Sequence, residues 1–165
     1  MSAISGVTPT RGMPSAVVVS TMLAVASAEE SHRTIRWGVM GTGTIASDFV
    51  RVLKAVPGAE VAAIGSRTQE RASEFAAALG VEDACCYGDY AALAADDTLD
   101  IVYVATPSAR HVDDSIMCLT AGRAVLCEKS MASTADEAER VLQLARSKRR
   151  ALSEGGSNPH LSHLQ

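Results

Sequence analysis

Aromatic residues are scarce in this 165-residue chain, at 4%, and a surface that stacks the bases of single-stranded nucleic acid needs several of them. A basic excess is missing as well. The net charge is -4, which leaves no electrostatic footprint for a phosphate backbone. No apolar run reaches the roughly 20 residues that span a bilayer, so no membrane segment is expected. Four cysteines are present, but Cys85 and Cys86 are adjacent, Cys118 and Cys127 stand apart, and no C-x-x-C spacing occurs. That excludes the usual zinc and disulfide frameworks and reads as buried free thiols in a reducing compartment, with no metal site. Acids are absent from the first 28 residues.

Those first residues differ from the rest. They are rich in Ser and Thr, carry Arg11, and hold an apolar run from Ala16 to Ala26 before Ala26-Ser27-Ala28. A secretory signal, an organellar transit peptide, a disordered extension and an initiation at Met13 all remain open, although unpaired cysteines weigh against secretion. Residues 1–31 are therefore set outside the fold as a targeting or disordered extension. The expected location is the cytoplasm, or an organelle lumen if the segment is a transit peptide. The length is that of one domain with one core, too short for a dinucleotide-binding domain plus a full substrate domain.

What is present is concentrated at one junction. The apolar run Thr34–Met40 flows into Gly41-Thr42-Gly43-Thr44-Ile45-Ala46, and an amphipathic stretch from Ser47 to Val56 follows. A strand, a glycine turn and a helix in that order can aim backbone N–H groups and a helix N-terminus at a pyrophosphate. Gly41 makes the tight turn, Gly43 lets the backbone approach the phosphates, and Ala46 keeps the helix close to the strand. A second strand, Glu60–Gly65, arrives about 20 residues on, where the ribose is read. An NAD site places a carboxylate there, but this chain has Ser66-Arg67. Ser66 can donate to a phosphate oxygen, and Arg67 offers a planar fork for a 2′-phosphate and a face for adenine. The reading is NADP in preference to NAD. Arg71, one turn later, either joins the same positive pocket or pairs with Glu74.

The alternation continues along the chain. A helix from Gln69 to Leu79 ends at Gly80, Cys85–Tyr87 is a short strand, and Asp89 caps a helix over Tyr90–Ala95. Leu99–Ala105 is a near-continuous apolar run, as a strand buried on both faces requires. A helix over Ala109–Ala121 stops at Gly122, Ala124–Cys127 is the next strand, and Thr134 with Glu137 forms a capping box for a helix to about Lys148. The fold class expected is α/β, a Rossmann-type doubly wound parallel sheet over residues 32–150.

Two later motifs fall at carboxyl ends of strands, where ligands bind in such sheets. They are Thr106-Pro107-Ser108-Ala109-Arg110-His111 and Glu128-Lys129-Ser130. With the glycine turn, they make the chain resemble the Gfo/Idh/MocA family of NAD(P)-dependent oxidoreductases over about Thr34 to Arg150. The stretch from Ile101 to Met131 looks most like the branch of NADP-linked D-xylose and trans-dihydrodiol dehydrogenases. The resemblance implies a dinucleotide partner and sugar, polyol or diol substrates. It places a lysine at Lys129 near the nicotinamide and the substrate hydroxyl, with Glu128 tuning it, and a histidine at His111 beside the cofactor. An ammonium at Lys129 could stabilise an alkoxide or relay a proton. Read without the resemblance, Glu128 and Lys129 are a surface ion pair and His111 is a cap or a solvated residue.

Departures from the family pattern are also visible. Ser130 replaces the proline that would fix the turn aiming Lys129, which is expected to loosen it, and Ser108 replaces an asparagine. The family's second, α+β substrate domain is not expected here. Residues 151–165, broken by Gly155-Gly156 and Pro159, read as a flexible tail with His160 and His163 solvated. Such a chain leaves an unpaired strand edge that invites self-association. Three functional classes follow: the cofactor half of an oxidoreductase, a truncated or spliced product that binds dinucleotide without turnover, and an S-adenosylmethionine-dependent methyltransferase. The last would want an acid where Ser66-Arg67 stand.

Overall fold

A computed structural model describes residues 33–155. The expected extension over residues 1–31, and the tail beyond Gly155 with His160 and His163, lie outside the described residues. Strand β1, Ile35–Met40, is followed by helix α1, Thr44–Leu53, and strand β2, Ala59–Gly65. Helix α2, Gln69–Leu79, leads to strand β3, Cys85–Tyr87, and helix α3, Tyr90–Ala95. Strand β4, Ile101–Val104, a 3₁₀ turn over Ser108–Arg110, helix α4, His111–Thr120, and strand β5, Ala124–Cys127, come next. Helix α5, Ala135–Lys148, and strand β6, Leu152–Glu154, complete the described chain.

The six strands form one sheet in the order β3-β2-β1-β4-β5-β6, and every pairing is parallel. That is the dinucleotide-binding strand order, whose crevice opens between β1 and β4 where the winding reverses. Strand residues alternate between two apolar layers, as a period of two demands. Met40, Ala63, Val102, Val104 and Val125 pack with Leu93, Leu119 and Val141 from α3, α4 and α5. Val39, Ile64 and Tyr103 face the other way, against Ala46 and Val50 of α1 and Ala72 and Ala76 of α2. The alanines on these helices let them sit close to the sheet, and because each helix follows a parallel strand its N-terminus lies at the sheet's carboxyl edge.

Caps fall where the sequence places them. The Asp89 carboxylate accepts from the Ala92 N–H, Thr134 and Glu137 make both bonds of a capping box, and Gly80 and Gly122 turn the chain at φ 63° and 85°. Three expectations are corrected. Helix α1 starts at Thr44, not Ser47, because extended Gly43 is itself the cap residue. The helix expected from Ala109 begins at His111, because Pro107 seeds a 3₁₀ turn in which the Arg110 N–H donates to the Pro107 carbonyl. The third concerns residues 151–165: their first part is strand β6 rather than tail, pairing Leu152, Ser153 and Glu154 with Val125, Leu126 and Cys127. Three residues are too few to display a period of two, so the strand rests on the β5 partner and on Leu152 packing into the core. The open β5 edge foreseen from sequence is thereby covered, and among the described residues the outer strands are the three-residue β3 and β6, short edges of the kind that limit edge pairing. The cysteines also divide. Cys118 and Cys127 are buried, but Cys85 is exposed and Cys86 half-buried, since β3 is an edge strand.

Candidate dinucleotide site

At the carboxyl ends of the strands lies a cleft of about 650 Å³. The expected residues Gly41, Thr42, Gly43, Ser66, Arg67, Arg71, Thr106 and Pro107 all line it. Thr44 and Ile45, the first residues of α1, are exposed and are not part of the lining. Gly41 sits at φ +115°, and a Cβ there would fall 2.7 Å from the Ala105 carbonyl oxygen, so this turn between β1 and β4 requires glycine. Gly43 has nothing within 4 Å of where a Cβ would stand. As the cap residue of α1 it offers no side chain to the first-turn N–H groups, and no acid lies in that turn. The positive end of the helix is therefore left for an anion.

The ribose end is basic. Among the described residues neither Arg67 nor Arg71 makes an ion pair, so the Arg71–Glu74 alternative is not realised and both guanidinium groups border the cleft. Ser66 is buried, its hydroxyl sharing a hydrogen bond of 3.2 Å with that of Thr42. No carboxylate stands at the end of β2. These features fit a dinucleotide with a charged ribose: an uncapped helix end for the pyrophosphate and unpaired cations for a phosphate.

Sequence reasoning missed Gly88, Asp89, Tyr90, Ala105 and Arg110, which also line the cleft. The signal was available for Gly88–Tyr90, which follow β3 at the same carboxyl edge. Arg110 lies over the Tyr90 ring, 5.5 Å from its centroid. Its guanidinium donates to the fully buried Asp114 at 2.7 and 3.2 Å, and the Thr106 hydroxyl donates to the same carboxylate at 2.7 Å. Arg110 and Asp114 are four residues apart, a helical spacing that could have flagged the pair. Burial and the Asp114 carboxylate push the Tyr90 phenol up, while Arg110, Arg67 and Arg71 pull it back.

His111, Glu128 and Lys129 are placed differently, outside the cleft lining. His111 is buried rather than solvated, with Nδ1 2.8 Å from the Ser130 carbonyl oxygen and Nε2 2.8 Å from that of Thr106. Glu128 holds the backbone beside it rather than an ammonium. Its Oε1 accepts from the Tyr103 hydroxyl at 2.6 Å and its Oε2 from the Lys129 N–H at 3.2 Å. Burial, then Glu128, push the Tyr103 phenol well up, so it stays a donor. The Lys129 side chain is exposed, and among the described residues it makes no ion pair. The Lys129–Ser130 peptide is cis. The Met131 N–H donates to Glu154 of β6 at 2.8 Å. The turn that lacks its proline is thus tied at three points, by Glu128, His111 and Glu154.

The sequence profile of the "oxidoreductase family, NAD-binding Rossmann fold" (Gfo/Idh/MocA) matches residues 35–155. The chain belongs to this family. It is 41% identical over 115 residues to trans-1,2-dihydrobenzene-1,2-diol dehydrogenase of Mus musculus, covering 68% of this chain and 34% of that protein. It is 40% identical over 131 residues to D-xylose 1-dehydrogenase (NADP(+)) of Hypocrea jecorina, covering 73% and 34%. The chain therefore spans about a third of the length of these relatives. Among solved structures, KijD10, a 3-ketoreductase from Actinomadura kijaniata in complex with NADP and TDP-benzene, superposes with a TM-score of 0.70 at 35% identity, over 74% of this chain and 37% of that one. Among the described residues no helix is long and apolar enough to cross a membrane.

Proposed function

We propose that residues 35–155 bind NADP(H) as the cofactor-holding part of an oxidoreductase acting on a sugar, polyol or diol hydroxyl. The observation that carries the reading is the pair of unpaired guanidinium groups, Arg67 and Arg71, beside Ser66 in the cleft, where β2 ends without a carboxylate and the carboxylate of the lining, Asp89, belongs to the turn after β3. A 2′-phosphate would be attracted there, and a plain ribose hydroxyl would find no carboxylate at the end of β2. The xylose dehydrogenase relative, named for NADP, and the KijD10 structure, which holds NADP, support the cofactor, and the dihydrodiol dehydrogenase relative supports the substrate class.

The nicotinamide, when bound, supplies the hydride acceptor or donor. The chain's own part is to seat the pyrophosphate on the N–H groups of Gly43, Thr44 and Ile45, and to clasp the phosphorylated ribose with Ser66, Arg67 and Arg71. Thr106 and Pro107 wall the cleft at the end of β4. Lys129, on its tied turn, holds or relays the proton of the reacting hydroxyl.

Fluorescence titration of the full chain with NADPH and NADH tests the cofactor reading. NADPH is expected to bind more tightly by about tenfold or more, with Arg67→Ala erasing the difference through loss of a charge-assisted contact. Equal affinity for both cofactors, or an Arg67→Ala variant that still prefers NADPH, would remove the assignment. A binding module without turnover makes the same binding prediction. It parts from the oxidoreductase reading when NADP⁺ and D-xylose or a trans-dihydrodiol are offered with a substrate domain supplied, because only an oxidoreductase then generates NADPH absorbance.

A further inference from the structure

The first turn of α4 buries two polar side chains, His111 and Asp114, and both reach Thr106. Asp114 takes the Thr106 hydroxyl, and the His111 ring faces the Thr106 carbonyl through Nε2 and the Ser130 carbonyl through Nδ1, each at 2.8 Å. A carbonyl oxygen only accepts, so each contact is a bond only where the ring nitrogen carries hydrogen. With both nitrogens turned to main-chain oxygens, the ring has no polar edge left for a cofactor or substrate. What it joins is informative: Thr106 is a wall of the cleft at the end of β4, and Ser130 follows Lys129. Among the side-chain hydrogen bonds of the described residues, those of His111 reach both segments.

We infer that His111 is a positioning residue, donating from Nδ1 to the Ser130 carbonyl and so fixing the turn that presents Lys129 relative to the cofactor cleft. It does the work that a proline after Lys129 would otherwise do, with Glu128 and Glu154 holding the flanking N–H groups. The importance of the turn rests on the role proposed for Lys129; the bond itself does not.

Two substitutions separate the ring's two contacts. His111→Asn keeps an amide N–H near the Nδ1 position, toward Ser130, whereas His111→Gln keeps one near the Nε2 position, toward Thr106. In the full chain, hydrogen exchange of the Lys129 and Met131 amides is expected to speed up about fivefold in His111→Gln, the worth of one net hydrogen bond. The same amides should stay near the unsubstituted rate in His111→Asn. Both variants lose one of the two buried contacts, so a general loss of stability would speed exchange equally in the two and throughout β4 and β5. A long-range ¹H–¹⁵N spectrum of the unsubstituted protein should show hydrogen on Nδ1. Equal exchange in the two variants, or a bare Nδ1, overturns the inference. NADPH titration of the same samples reports independently on the cofactor assignment: absence of binding in the unsubstituted chain defeats that assignment and leaves the His111 bond to be decided by exchange.

Discussion

Removing the Asp114 carboxylate is the sharpest perturbation of the cleft, because one buried group holds two of its walls. Asp114 has no exposed side-chain surface, whereas the Arg110 side chain is 49% exposed. The Thr106 hydroxyl, 2.7 Å away, is bonded to a charged acceptor in a buried setting, and such a bond contributes about 1.5–3 kcal/mol. The guanidinium half of the network is half in water, so it is counted at the value of a surface pair one helical turn apart, about 0.3–0.5 kcal/mol, rather than as a buried pair. Asp114→Ala should thus lower unfolding free energy by roughly 3 kcal/mol. For a domain of this size that is a Tm loss of about 10 °C. Asp114→Asn keeps an oxygen for Thr106 but turns an amide N–H₂ toward Arg110 or forfeits that contact, and should cost about 1 kcal/mol. Urea unfolding followed by circular dichroism gives both numbers. Because Arg110 would also leave its place over Tyr90, NADPH affinity should fall in Asp114→Asn while the fold survives. An Asp114→Ala protein within about 0.5 kcal/mol of the unsubstituted chain, the range of ordinary surface changes, would refute the idea that this carboxylate braces the cleft.

Four further outcomes are expected. Gly43→Ala should leave stability within about 0.5 kcal/mol, since its Cβ enters open space, yet cut NADPH affinity about tenfold by standing where the pyrophosphate approaches. Gly41→Ala should lose both, with φ +115° and a Cβ 2.7 Å from a main-chain oxygen, and retained stability there would show that the β1 turn is looser than described. The thiols should separate in reaction with a disulfide reagent at pH 8: Cys85 fast, Cys86 slower, Cys118 and Cys127 only on unfolding. Burial raises Cys118 to about 12 and Cys127 to about 11 from 9.0. A raised thiol favours the protonated native state, so its contribution to stability is full below pH 9 and is lost as pH climbs toward 11–12, lowering the urea midpoint over that window. A midpoint that rises with pH there would contradict the burial of these two groups.

The parts of the fold that could be read from sequence are those whose causes are local. Asp89, Thr134 and Glu137 announce helix starts because a side-chain oxygen reaches an N–H within three residues, and Gly80 and Gly122 announce stops because a positive φ needs no distant partner. The glycine turn and the Ser66-Arg67 pair were legible for the same reason: each is a short segment whose chemistry is carried in its own residues. Strand β6 was not, since three residues ending at Glu154 acquire their structure from β5. Nor were Tyr90 and Arg110, which meet only after β3 and β4 are laid in one sheet with β2 and β1 between them.

His111 marks the boundary most clearly. Its sequence position, at a helix start after a strand, is compatible with a cap, a solvated ring or a cofactor contact. Its actual role depends on a carbonyl 19 residues away that no local rule identifies. The same holds for the turn at Lys129. A serine in place of proline predicts looseness if only the backbone is considered, but beside the local bond from Glu128, His111 of α4 and Glu154 of β6 reach the turn, so the constraint removed from the turn itself is supplied by two separate elements. Tertiary hydrogen bonds can thus replace a local conformational restriction, and the cost is sensitivity to distant substitutions, which is why a change at His111 should be felt at Lys129 before it is felt in the sheet.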